Sequence, residues 1–402
     1  MTTPPQVETT LPPGSGSDED KYVPRLFCRN AIVFFFFLFS LFEWQECCNG
    51  SRHDIDFNCD IVLTAFSSCN KLLDNLIIEV LVWFVGLSSF IGNTSVLLLR
   101  SRTICSKASR ISRINAIMIL SLASADILNG IYLLIIGAVN AKFDKNYYFF
   151  ADEWLESPLC QIAGFLATLS GQTSVLMLTV ISIERMLAIV FPFRLNLRMG
   201  TKVTWVIVLV VWSASIIICS IPFMFPESFT GFYGNSDVCI GLPVGLYIYA
   251  VPGGGEAGEM EIEGSSWYFG IAIYVGINIL CLLVILICYV IIFVTVKRSR
   301  RNVKNTKNST QEIQLAGRMS LIVCTDFAAW FPIVTMFILV IARAWDMPAT
   351  LYVFVVAILL PINSALNPYI YTVTQIISKR RRRLGKSSNG AGSSGMSLDK
   401  LT

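Results

Sequence analysis

Residues Ile114–Val139 read INAIMILSLASADILNGIYLLIIGAV, and Asp126 is the one charged side chain among them. About 20 apolar residues in a helix cross a bilayer core of about 30 Å. This stretch is longer than that, so it reads as a transmembrane helix. It also holds a carboxylate near its centre. A charge at that depth is costly and marks a functional site by default.

Six further stretches share this character: Leu76–Leu99, Gln161–Val190, Val203–Phe225, Trp267–Val296, Met319–Ile341 and Leu351–Ile376. With Ile114–Val139 as the second, they are numbered here as the first to seventh spans. No ten-residue alternation of a β-barrel interrupts them. The expected fold class is therefore an all-α membrane protein, a seven-transmembrane helix bundle. Composition agrees. The 402 residues are 54% hydrophobic and 14% charged, whereas a soluble domain carries about 25% charged residues.

Basic residues set the orientation, because short cytoplasmic loops collect Lys and Arg. The first loop holds Arg100, Arg102, Lys107, Arg110 and Arg113. The third holds Arg194, Arg198 and Lys202, and the fifth begins Lys297, Arg298, Arg300, Arg301. The tail opens with Lys379 and Arg380. Between Lys202 and Lys297 no Lys or Arg occurs, but Glu227, Asp237, Glu256, Glu259, Glu261 and Glu263 do. The bundle's N-terminus is thus expected outside and the tail inside, in the plasma membrane. The net charge of +4 follows from these loop ends. It calls for no nucleic-acid partner, although the runs also suit anionic lipid headgroups of the bilayer.

Outside the spans, residues 1–30 have the Pro-, Ser- and acid-rich composition of a disordered segment. Ala31–Phe42 is an apolar run of about 12 residues, signal-peptide-like or an anchor. Residues 43–75 form a short extracellular segment with Cys47, Cys48, Cys59 and Cys69, whose pairing spacing cannot fix. Asn49 opens an Asn-Gly-Ser glycosylation sequon. Residues 76–378 form the receptor-like bundle, and residues 379–402 a basic, Ser/Gly-rich cytoplasmic tail.

Inside the bundle, Asp126 needs partners. The polar candidates are Asn93 on the first span, Ser174 on the third, and Asn363, Ser364 and Asn367 on the seventh. One reading is a static cluster that fixes helix register. The other is a switch with two arrangements, whose oxygen ligands would also suit an allosteric sodium ion. The sixth span carries a second carboxylate, Asp326. Pro332 and Pro368 kink the sixth and seventh spans, and Trp330 stands at the first of these bends. At the cytoplasmic end of the third span, Glu184 and Arg185 can pair, leaving Arg185 free to exchange that partner for an external protein. Cys160 and Cys239 lie on the outer side.

Together these residues resemble the rhodopsin-like G-protein-coupled receptors. The motifs are Gly92-Asn93, Ser121-Leu-Ala-Ser-Ala-Asp126, Cys160, Glu184-Arg185-Met186, Trp212, Trp330-Phe331-Pro332 and Asn367-Pro-Tyr-Ile-Tyr371. A narrower resemblance, to the transmembrane part of relaxin-type leucine-rich-repeat receptors, rests on further motifs. They include Trp154-Leu-Glu-Ser157, Ile189-Val-Phe-Pro-Phe-Arg194, Gly231-Phe-Tyr-Gly234, Pro361-Ile-Asn-Ser-Ala-Leu-Asn-Pro368 and Asp326.

The resemblance implies a receptor that transduces an extracellular peptide or protein hormone signal, relaxin-like or glycoprotein-hormone-like. It implies coupling to heterotrimeric G proteins, often through cyclic AMP, with arrestin a further candidate partner. By analogy Arg185 engages the G protein. Glu184, Asp326, Trp330, Pro332, Asn367, Pro368 and Tyr371 belong to the coupling switch, and Cys160–Cys239 is the outer disulfide. Tyr147, Tyr148 and Trp154 are the ligand-side candidates.

Three departures stand out. Residues 43–75 are too few for several leucine-rich repeats of about 20–29 residues, so a truncated fragment or a receptor with a different ligand are both open. Ala329 stands where a Cys is usual, and the outer loop after Cys239 is long.

Other classes fit less well. A retinal sensor needs a Lys on the seventh span, which has none, and an amine receptor usually carries Asp where Ala167 stands. A transporter or channel would show repeats, broken helices or rows of charge. No nucleophile–base pair or metal cluster can be assembled for an enzyme. A non-signalling decoy would have the same core, and remains the alternative reading.

Overall fold

The computed structural model of the protein describes residues 71–73, 75–107, 109–143, 147–191, 194, 199–234, 236–241, 265–302, single positions between 325 and 339, and 349–370. The first span is the helix Leu76–Cys105, the second Arg110–Lys142, the third Pro158–Val190 and the fourth Thr201–Met224. The fifth runs from Ser265 through a π-helical turn, Ala272–Ile277, to Asn302. All five are long and apolar enough to cross a bilayer. Helical positions at 325, 327, 329–331, 333–336 and 338–339 belong to the sixth. The seventh comprises Ala349–Phe354, a π-helical segment Val355–Leu359 and helix onward to Ile370.

Helix starts follow from local chemistry. The first backbone N–H groups of a helix have no internal acceptor. Asn75, Ser109 and Ser157 each supply one from the side chain, to Ile77, Ser112 and Cys160 respectively. Pro158 follows Ser157 at the first helical position, where its missing N–H costs nothing. Several helices outrun their apolar stretches. Hydropathy falls at the first polar residue, but the backbone continues, and long side chains such as Arg102 and Lys142 reach out toward the interface. The first helix therefore ends at Cys105 rather than Leu99, and the second at Lys142 rather than Val139.

One element differs in kind. The aromatic stretch at 147–156, which the sequence suggests is loop, is a ten-residue helix, Tyr147–Glu156. Tyr147, Ala151 and Trp154, spaced three and four apart, face inward, while Phe149, Asp152, Glu153 and Glu156 face out.

The second and third spans are central: 56% and 50% of their apolar windows are buried, against 33% for the first and 28% for the fourth and fifth. Outward-facing Phe84, Ile91, Leu209, Val210, Ile287 and Phe293 remain exposed. Water would penalise this surface, but hydrocarbon does not. Where spans one and two meet, small residues let backbones approach. A Cβ at Gly130 would lie 2.7 Å from the backbone nitrogen of Phe90. The half of the bundle nearer Arg185 is filled by Ile117, Leu122, Met177, Ile181, Val208 and Ile285. Trp212 closes the fourth span onto the second by donating from Nε1 to Ser121 Oγ at 2.9 Å.

Candidate functional site

The centre of the bundle is built around one proline. Pro368 has no N–H, so the carbonyl of Ser364, four residues earlier, loses its helical donor. In hydrocarbon that carbonyl must find another. Asn93 supplies it: its Nδ2 donates to Ser364 O at 2.9 Å and to Ser89 O at 2.9 Å. The neighbouring Gly92 makes room, since a Cβ there would stand 2.8 Å from Cγ of Pro368. The Gly-Asn pair on the first span and the proline on the seventh are thus one structural unit.

Asp126 sits beside this unit and is 1% exposed. Its Oδ2 accepts from Asn367 Nδ2 at 2.8 Å, and its Oδ1 accepts from Ser174 Oγ at 3.4 Å. Ser89 Oγ donates to the backbone carbonyl of Asp126 at 2.8 Å, and Asn129 Nδ2 donates to Ser364 Oγ at 3.0 Å. Asn363 turns to another neighbour: its Oδ1 accepts from Thr325 Oγ1 on the sixth span at 3.2 Å. The sequence-predicted Asp126, Ser174, Ser364 and Asn367 therefore share one cluster, and Asn363 links it to the sixth span.

A cavity of about 50 Å³ lies beside this cluster; Asn129, Ser174, Asn363, Ser364 and Trp330 line it, and Asp126 and Asn367 do not. One water needs about 10–15 Å³, so a small ion with some of its hydration fits. The donor set is oxygen-based, as a hard cation requires. Asn367 Oδ1 and Asn93 Oδ1, both buried, find no donor among the described residues. The residues present fit a sodium ion.

At the far end of the third span, Arg185 is 1% exposed. It forms an ion pair with Glu184 and donates from Nη2 to Asn115 Oδ1 on the second span. The pairing of adjacent side chains expected from sequence is present. Asn115 is an additional partner, hidden in sequence because a lone Asn in an apolar helix gives no sign of what it meets.

At the opposite end of the third span Cys160 and Cys239 are joined by a disulfide that pins the loop at 236–241 to that span. Tyr132 OH donates to Val238 O at 2.9 Å, and Trp154 Nε1 donates to Asp237 O at 2.8 Å. Tyr233 OH reaches Cys219 O at 2.7 Å on the fourth span. Tyr147 and Trp154 are 0% and 3% exposed, because the short helix turns its three-and-four-spaced aromatic face onto the bundle. They hold the outer cap together rather than present a surface. Burial, and then the negative Asp237, push the Tyr147 phenol above its ordinary range. The side chain of Tyr148, and Asn49, Asp326, Pro332 and Tyr371, lie outside the described residues.

Comparison with known proteins agrees with this geometry. Residues 92–371 match the rhodopsin family of seven-transmembrane receptors. Over 335 residues the chain is 34% identical to relaxin receptor 2 of the dog, Canis lupus familiaris, covering 81% of this chain and 43% of that protein. Over 318 residues it is 35% identical to human relaxin receptor 1, covering 79% of this chain and 39% of that protein. The thyrotropin receptor of the cat, Felis catus, is 26% identical over 326 residues, covering 81% and 38%. The chain spans less than half the length of these relatives. All are receptors, not enzymes. With an Asp126–Asn367 contact inside the matched region and a family defined by a seven-helix bundle, this multi-pass membrane protein belongs to the rhodopsin family of seven-transmembrane receptors.

Proposed function

We propose that the chain receives an extracellular peptide or protein hormone and passes the signal to a heterotrimeric G protein, with cyclic AMP as a downstream messenger. The relatives named as relaxin and thyrotropin receptors support the ligand class. The basic loops support an orientation with the bundle's N-terminus outside and Arg185 inside. The observation that carries the reading is Arg185 itself. A buried guanidinium held by Glu184 and Asn115 can exchange these contacts for a docking protein. In the switch, Asp126, Ser174, Ser364 and Asn367 would hold a sodium ion, and Trp330 and Asn363 would relay its state to the sixth span. Bound sodium supplies a positive charge that stabilises the ionised carboxylate. The Ser-rich tail suits phosphorylation and arrestin.

The test measures cyclic AMP and G-protein activation in cells expressing the intact chain, alone and with candidate peptide hormones. Surface-expressed chain should signal above vector controls, and Arg185→Ala should remove the signal without removing surface expression. A signal equal to vector with every hormone tried, and unchanged by Arg185→Ala, would sink this reading in favour of a silent decoy.

A further inference from the structure

The fifth span is not one continuous α-helix. The π turn Ala272–Ile277 interrupts it, although no proline lies between Ser265 and Asn302. In a π turn each N–H reaches back five residues instead of four. Where the α-helix resumes, one carbonyl is left without a helical donor, and in hydrocarbon it must find another. Side chains supply it. Gln172 Nε2 on the third span donates to Ile273 O at 3.2 Å. Asn278 Nδ2 donates to Ile273 O at 3.1 Å and to Tyr274 O at 3.0 Å. Both amides are buried, and their own oxygens find no donor among the described residues. What they contribute is their N–H groups. One turn before Gln172, Thr168 Oγ1 donates to Gly164 O at 2.8 Å. Its single proton is then used, so the Tyr274 phenol donates to Thr168 across 2.6 Å. Thr168 and Gln172, four apart on one face of the third span, grip the turn together. Gly276 is exposed, and a Cβ there would meet nothing nearer than Ile271 O at 3.9 Å. Close packing does not require this glycine, which weakens the helix locally.

We propose that the π turn is a releasable joint in the fifth span: Thr168, Gln172 and Asn278 hold it, and when they let go it closes to α-helix and re-phases Asn278–Asn302 against the bundle. One residue of phase is up to about 100° of rotation and about 1.5 Å of rise. The segment that moves carries Ile285, which belongs to the same buried cluster as Ile117, Met177 and Ile181 in the half nearer Arg185. A displacement of the third span at Thr168 and Gln172 is thereby passed to the fifth. The use of this joint in signalling rests on the receptor reading above; the joint itself does not.

The experiment uses the full-length chain, in cells for surface expression and cyclic AMP, and in detergent for amide exchange. A π turn holds one residue more than an α turn. Deleting Gly276 should therefore close the turn, keep the phase of both flanks and leave surface expression near wild type. Deleting the equally exposed Leu209 from the fourth span, where no π turn can absorb the loss, should abolish it. Gln172→Met and Asn278→Ala each remove donors. Each should quicken amide exchange at residues 272–278 about three- to tenfold, the loss of one hydrogen bond. In the Gly276-deleted chain neither substitution should quicken it further, since no π turn remains to hold. Both substitutions and the deletion should move ligand-independent cyclic AMP in one direction at equal surface expression. A Gly276 deletion as damaging as that of Leu209, or exchange unchanged in both donor variants, overturns the proposal. So does cyclic AMP equal to wild type in all three, where wild type signals above vector. A wild-type chain at vector level sinks the receptor reading instead, and exchange and the two deletions then decide the joint alone.

Discussion

Asn367 on the seventh span donates from Nδ2 to Oδ2 of Asp126 on the second across 2.8 Å, and both side chains are buried. A hydrogen bond in a low-dielectric interior is electrostatically stronger than the same bond in water. Neither partner can be removed without leaving the other short of a bond in hydrocarbon. The pair therefore ties two spans that are far apart in sequence, and its making and breaking is a natural place for a switch.

Gly92 and Asn93 should be intolerant in different ways. Gly92→Val places atoms inside the Pro368 ring, where even a Cβ stands at 2.8 Å. Overpacking of this kind costs about 1–3 kcal/mol, so Tm and surface expression should both fall. Asn93→Ala leaves the Ser364 carbonyl without the donor that Pro368 denies it. The expected loss is about 1–3 kcal/mol for a buried group left unpaired. Thermal unfolding in detergent reads both. A Gly92→Val chain as stable as wild type would show that the first and seventh spans are not in contact there.

Asn115 restrains Arg185 from the second span. Asn115→Ala should remove this hold and keep the Glu184 ion pair. Ligand-independent cyclic AMP should then rise at equal surface expression, because less interaction free energy opposes release of Arg185. A basal signal equal to or below wild type would show that the contact does not restrain the receptor.

Much of this architecture is legible in the amino-acid sequence. Long apolar stretches give the spans, and Asp126, Asn93, Ser174, Ser364 and Asn367 announce themselves as polar residues where hydrocarbon tolerates few. Their partners are harder to read. Asn115 and Asn129 are also polar and intramembrane, yet no local pattern tells which helix each will face. The place of the outer aromatics is hard to read for a related reason. Aromatic residues near the outer surface suit either a ligand or a cap, and only the helical spacing of Tyr147, Ala151 and Trp154 separates them. That spacing is short enough to pass for a loop.

Trp154 should matter to the outer cap. Its Nε1 holds Asp237 O next to the Cys160–Cys239 disulfide. Trp154→Phe keeps most of the packing and deletes this donor. A loss of about 1 kcal/mol is expected. Amide exchange in the loop at 236–241 should quicken while the spans keep their protection. Unchanged exchange there would mean that the disulfide holds the loop without Trp154.

Alkaline stability should report Tyr147. A free phenol loses its proton near 10.0, whereas burial and then the Asp237 charge raise the value in the folded chain. The folded state thus binds the proton more tightly. Its contribution to stability is fully present below about pH 10 and is lost as pH rises beyond it, where the unfolded chain ionises first. Tyr147→Phe removes that dependence, so its Tm should fall less steeply than wild type between about pH 9 and pH 11. Parallel slopes in the two proteins would show Tyr147 to be accessible to solvent.

The central claim is that Asp126 and Asn367 interact directly within one bundle, and a double-mutant cycle on unfolding free energy measures it. Asp126→Ala and Asn367→Ala, singly and together, should give a coupling of about 1–2 kcal/mol, within the range for hydrogen-bonded pairs in membranes and buried networks. Single losses that simply add, with no coupling outside error, would contradict the account and place the two side chains on separate faces.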